Sequence, residues 1–200
     1  MEKKYKLTEE TINVNGKTLY RIEALKDFSD VKQGEKGGFI EKEENLSQYG
    51  DCWAYDNAKI YDNAQLYDDA IVYEDAIVCG NAKVYGEADV CGNVWVFGDA
   101  EVYDDAIVCG NAKVYGKVDV CGNCWIRDDA KVFGNAKIFG DAQVYGDTLV
   151  FNNAQIYGKA AVHDDAVVCD NAIVCDNAEV YEDAVVCGDM VICGNAVVCD

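Results

Sequence analysis

The chain contains no proline, a single histidine, His163, and no apolar run approaching the roughly 18 residues of a membrane-spanning helix. Its first residues, MEKKYKLTEE, also lack the apolar segment of a signal peptide. A soluble, cytoplasmic protein is expected. Positive charge is scarce too, with 17 Lys and Arg against 37 Asp and Glu and a net charge of -20. Nucleic acids and anionic membranes demand a basic surface, so neither is expected as a direct partner. The imbalance is local: residues 1–45 hold 9 basic and 10 acidic side chains, residues 46–200 hold 8 and 27. Eleven cysteines are present, and an odd count without a secretion signal reads as reduced thiols serving as small hydrophobes.

What the chain has in abundance is repetition. DAIVCGNAKVYG occurs at Asp75 to Gly86 and again, unchanged, at Asp105 to Gly116. Taken every sixth residue, the positions from Ile60 to Val198 are Val, Ile or Leu without exception, and the place two earlier is Ala in all but five hexads. Those five carry Val94, Val118, Cys124, Thr148 and Met190. Within a hexad the order is Ala, variable, Val, Tyr/Phe/Cys, then two residues that are Gly, Asp or Asn almost throughout. The first four alternate inward and outward as in a short strand. The last two tolerate left-handed or tight-turn backbone. One hexad cannot bury its Ala and Val alone, so the coils must stack and share a core.

Units such as GNAKVY, GDAQVY and DNAEVY resemble the hexapeptide repeats of left-handed parallel β-helix proteins. The lead-in GEKGGFIEKEENLSQYGDCWAYDNA further resembles the YdcK-like hexapeptide-repeat proteins of bacteria and phages, a family grouped with transferases. The resemblance implies an all-β fold, a left-handed parallel β-helix with three hexads per coil. Residues 46–200 would then make about eight coils, a prism about 40 Å long. Residues 1–45 read as a capping segment. In them TINVNGKTLYRIEAL places Asn15-Gly16 between alternating apolar runs, a β-hairpin signal.

The two copies of the duplicated segment are offset by five hexads, which is not a whole number of three-hexad coils. They therefore lie on different faces, and Cys79 and Cys109 do not share a surface. The copy preserves shape rather than a site. The main expectation is a structural or binding scaffold without an identifiable active site and with no cofactor.

The family resemblance implies an alternative, acyl transfer from acyl-coenzyme A with His163 as general base, oriented by Asp164 or Asp165. A single histidine excludes the three-His zinc site of the carbonic anhydrases of this fold. Cys121 and Cys124, in CGNC, should point to opposite sides of the wall, so no metal site is expected there. Pairs one coil apart, Cys91/Cys109, Cys169/Cys187 and Cys175/Cys193, are expected as reduced ladders. Of the 27 acidic residues in the repeats, 23 occupy corner places, where turns favour Asp. A rod lined with carboxylates is also suited to act as an acidic DNA mimic toward a basic protein partner, or to hold calcium.

One face stands out. Grouped by coil, its outward positions include Ile77, Trp95, Phe97, Tyr115, Phe133, Leu149, Phe151, Val167 and Val185, whereas the second face carries Gln65, Lys83, Glu101, Asp119, Lys137 and Gln155. A long apolar stripe marks an association surface, so a homo-oligomer, dimer or trimer, is expected through the first face. The last hexad reaches Asp200 without a covering segment, which adds an expectation of end-to-end stacking.

Overall fold

In the computed structural model of the chain, which describes residues 3–200, the aliphatic place of every hexad from Ile60 to Val186 is closed to solvent. The small place two residues earlier is closed with it from Ala58 to Ala184. Thr148, standing where Ala is usual, satisfies its hydroxyl by donating to the Tyr145 carbonyl. The first corner residue has positive φ in every hexad from Asp56 to Gly194, so Gly, Asp, Asn and Glu fill that place and β-branched residues do not. Each hexad is thus a short rung ending in a left-handed corner.

The rungs assemble into three sheets of parallel strands, each strand pairing with the one three hexads further on, as in Val96↔Val114 and Val114↔Val132. Backbone N–H groups donate to carbonyls on the next coil, for example Lys59 to Ala76 at 2.9 Å, Tyr61 to Val78 at 3.1 Å and Asn63 to Gly80 at 2.8 Å. The result is a β-solenoid of about nine turns. Its interior is a continuous column of Val, Ile and Ala. Among the described residues no helix is long and apolar enough to cross a membrane.

The corners are tied as thoroughly as the strands. The Asp62 carboxylate accepts from the Gly80 N–H at 3.1 Å, and Asp176 accepts from Gly194 at 3.0 Å. At the second corner place amide side chains form ladders: Asn135 donates to Asn153, Asn153 to Asn171, and Asn171 to Asp189. That run ends on Asp because a carboxylate has no N–H to pass onward. Much of the acidity of the repeats is therefore engaged in holding successive coils in register.

The N-terminal residues form a hairpin of β1 (Tyr5–Val14) and β2 (Lys17–Ala24), with Asn15 and Gly16 at φ 51° and 82° in the turn. It joins the stack through β3 (Lys36–Ile40), antiparallel to β2 and parallel to the rung Lys59–Ile60. The first rung of the first sheet thus comes from the segment before residue 46. Tyr5, Ile22, Val31 and Ile40 close this end of the core, and Tyr5 and Phe28 meet the buried Trp53 ring edge-on. Beneath them the Lys4 amino group donates to the Cys52 carbonyl at 2.8 Å. Burial lowers the Lys4 pKa and raises that of the Cys52 thiol.

Candidate functional site

The fourth place of the hexad builds the surface. Parallel in-register rungs set identical places one strand spacing apart, about 4.8 Å, which is also a ring-stacking distance. On the first face Phe97, Tyr115, Phe133 and Phe151 form a four-ring stack with centroids 4.8, 5.0 and 4.9 Å apart. On the second, Tyr67, Tyr85 and Tyr103 stack at 4.8 Å, and Phe139 stacks on Tyr157 at 4.7 Å. On the third, Arg127 lies over Tyr145, followed by His163 and Tyr181. The hexad pattern alone does not announce these columns; reading every third hexad does.

His163 sits inside the third column. Its ring lies 4.7 Å from Tyr145 and 5.2 Å from Tyr181, nearly parallel to both, and its side chain is only 13% exposed. Nδ1 is 3.1 Å from Asp164 Oδ2 and Nε2 is 3.0 Å from Glu179 Oε1. The family resemblance implied a general-base imidazole oriented by Asp164 or Asp165. The structure supplies the Asp164 contact but covers both ring faces, because the same place on the coils before and after holds tyrosine. Both nitrogens carry a carboxylate neighbour. Beside His163, at Asp164, runs an open corner groove lined by Gly146, Asp147, Asp164, Asp165, Glu182 and Asp183. Five carboxylates there repel the phosphates of an acyl-coenzyme A donor.

The cysteines divide. Cys124 is fully buried, its thiol pushed up to about 12 by burial, while Cys121 lies on the outside of the wall. The expectation that all the one-coil pairs are reduced ladders needs correction at one pair: Cys169 and Cys187 are joined as a disulfide. Adjacent rungs bring their Cα atoms to 4.6 Å, inside the usual disulfide range of about 4.4–6.8 Å, and the two side chains lean together. Among the described residues the other nine cysteines are free.

The second face pairs its charges along the stack, Lys83 with Glu101 at 2.7 Å and Lys137 with Asp119 at 3.7 Å. The first face has a different character. Its near end is covered from within: Leu19, Phe39, Tyr61 and Cys79 are buried together, with Ile12, Val14, Ile77 and Phe97 packed against them. Lys17 at the hairpin tip fixes this cover through Glu41 at 3.0 Å and Asp62 at 2.6 Å. Beyond the cover the face is open. Trp95 is 40% exposed and packs edge-on to Phe97; Val185 is 59% exposed; Leu149, Phe151 and Val167 are half-buried.

Comparison with known proteins bears on the repeats. Residues 64–80 match the family model described as YdcK Beta solenoid repeat. A stretch of 42 residues, 21% of the chain, is 48% identical to the Escherichia coli (strain K12) protein named "Uncharacterized acetyltransferase YdcK". The match spans 13% of that protein's length. With the stacked three-hexad coils on the page, the matched repeat and this local similarity show that the solenoid repeats are similar to those of YdcK-like β-solenoid proteins.

Proposed function

We propose that the chain is a rigid β-solenoid scaffold that associates with a second copy of itself through its first face, and that it has no active site at His163. The observation that carries this reading is the contrast within one face. Where the hairpin reaches, the molecule covers the aromatic column with its own Ile12, Val14 and Leu19. From Trp95 to Val185 the strip continues without a cover, apolar except at Lys113 and Lys131. The open strip suits a second copy because each copy offers the same flat, weakly charged surface, and a closed pair needs only one self-complementary patch. Static light scattering tests this. Dimers or trimers are expected at micromolar concentrations, reduced to monomers by Trp95→Glu with Val185→Glu, both exposed positions, with circular dichroism to report that the fold is kept. A monomer at high micromolar concentration contradicts the reading.

A second reading, acyl transfer, is favoured by the printed name of the similar Escherichia coli protein. The enclosure of His163 and the acidic groove beside it weigh against it. Calorimetric titration with acetyl-coenzyme A separates the two: no heat of binding is expected. Binding that is lost in His163→Ala, with circular dichroism unchanged, establishes the enzyme reading instead.

A further inference from the structure

Of the three cysteine pairs on adjacent rungs, Cys169/Cys187 is closed as a disulfide, while Cys175/Cys193, in the same register one hexad further along, is open. In both cases a corner Asp follows the first cysteine. The groups Cys169/Asp170/Cys187 and Cys175/Asp176/Cys193 each bring two sulfurs and a carboxylate oxygen within 4.8 Å of one another. At Cys91/Cys109 the residue after each cysteine is Gly, and no such group forms among the described residues.

The two groups differ in what their carboxylates have left to offer. Asp170 is fully engaged: Oδ1 accepts from Asn152 at 2.9 Å, and Oδ2 accepts from the Gly188 N–H at 3.2 Å. Asp176 uses only Oδ2, which takes the Gly194 N–H at 3.0 Å and fixes the side chain. Its Oδ1 is left to coordinate. Cys175 is anchored at 6% exposure, whereas Cys193 is exposed, so the group is held on one flank and open on the other.

We propose that Cys175, Asp176 and Cys193 form a binding site for Zn²⁺, with a solvent molecule completing the tetrahedron. Two soft sulfurs and one oxygen match a thiophilic d¹⁰ cation and do not match calcium or magnesium, which take oxygen donors. Binding replaces two S–H bonds with two metal–sulfur bonds, releases two protons to solvent and changes no oxidation state. The pairing of Cys175 with Cys193 was legible from the coil length, but the approach of the Asp176 carboxylate to both sulfurs was not.

The test uses the full chain carrying Cys187→Ser, which removes the disulfide and the sister group together, kept reduced and free of oxygen. Cd²⁺ is titrated in as probe, with thiolate-to-cadmium charge-transfer absorption as readout and circular dichroism to report folding. One Cd²⁺ per chain is expected, displaced by added Zn²⁺. The further change Cys193→Ser, at an exposed position, abolishes the signal. Asp176→Asn, which keeps an oxygen acceptor for Gly194, weakens binding by about tenfold or more. The unsubstituted chain, with its disulfide kept, gives the same stoichiometry and guards against a folding defect in the variant. No uptake in either chain overturns the proposal, as does uptake indifferent to Cys193→Ser or Asp176→Asn.

Discussion

Gly92 shows how narrowly a corner residue is specified. It sits at φ 86°, and a Cβ built there collides with the Gly110 carbonyl oxygen of the next coil. Gly16, in the hairpin turn, has a similar φ of 82° but nothing within 4 Å of such a Cβ. Gly16→Ala should therefore cost only the left-handed penalty, about 1–2 kcal/mol. Gly92→Ala adds a collision with backbone that is itself hydrogen-bonded, and should lower the urea midpoint clearly further. Equal midpoints for the two variants contradict the stacked-corner geometry. At this scale the sequence was informative where the cause is local: Ala and Val at alternate places and Gly or Asp at corners follow from steric demands within one hexad. The enclosure of His163 was not legible that way. Its ring neighbours, Tyr145 and Tyr181, stand one full coil to either side, and only the coil length reveals them.

The in-register rungs that bury His163 also produce the tyrosine columns, and these make the elements sensitive to alkali. Burial is the main cause that pushes the Tyr61 hydroxyl up to about 12 and raises Tyr67 and Tyr85, the latter also under the influence of Glu101. Tyr73 and Tyr103 are raised chiefly by the adjacent thiols of Cys91 and Cys121. In the unfolded chain a tyrosine ionises near pH 10. A phenol whose folded value is higher holds its proton longer in the folded state, so its contribution to stability is complete below about pH 10 and is lost as pH rises through the folded values. The urea midpoint should fall steadily above pH 10. Tyrosinate absorbance should lag the ordinary titration and rise together with loss of ellipticity. Ordinary tyrosine titration near pH 10 with the ellipticity intact contradicts the stacked columns. The same rung spacing gave a sequence-level expectation of separated thiols along each ladder, correct for a flat strand surface but overturned where Cys169 and Cys187 lean toward each other.

Across the whole molecule, strand pairing at every third hexad turns a short sequence pattern into a long solenoid with three unlike faces. One face pairs its charges, one encloses the histidine column, and one presents stacked aromatics that the hairpin covers at one end only. The hairpin itself was readable from Asn15-Gly16, but its placement over Tyr61 and Cys79 was not, because Leu19, Val14 and Lys17 find their partners only once β3 has joined the stack. Three tryptophans report on this arrangement independently: Trp53 is buried under the cap, Trp95 is 40% exposed on the first face, and Trp125 is 45% exposed on the third. The most direct measurement is acrylamide quenching of two variants, Trp125→Phe and Trp95→Phe, each leaving one exposed indole, followed from nanomolar to high micromolar protein. Association through the first face predicts that quenching of Trp95 falls with concentration while quenching of Trp125 stays constant. Two indoles that remain equally open at every concentration, or protection of Trp125 instead, contradict it.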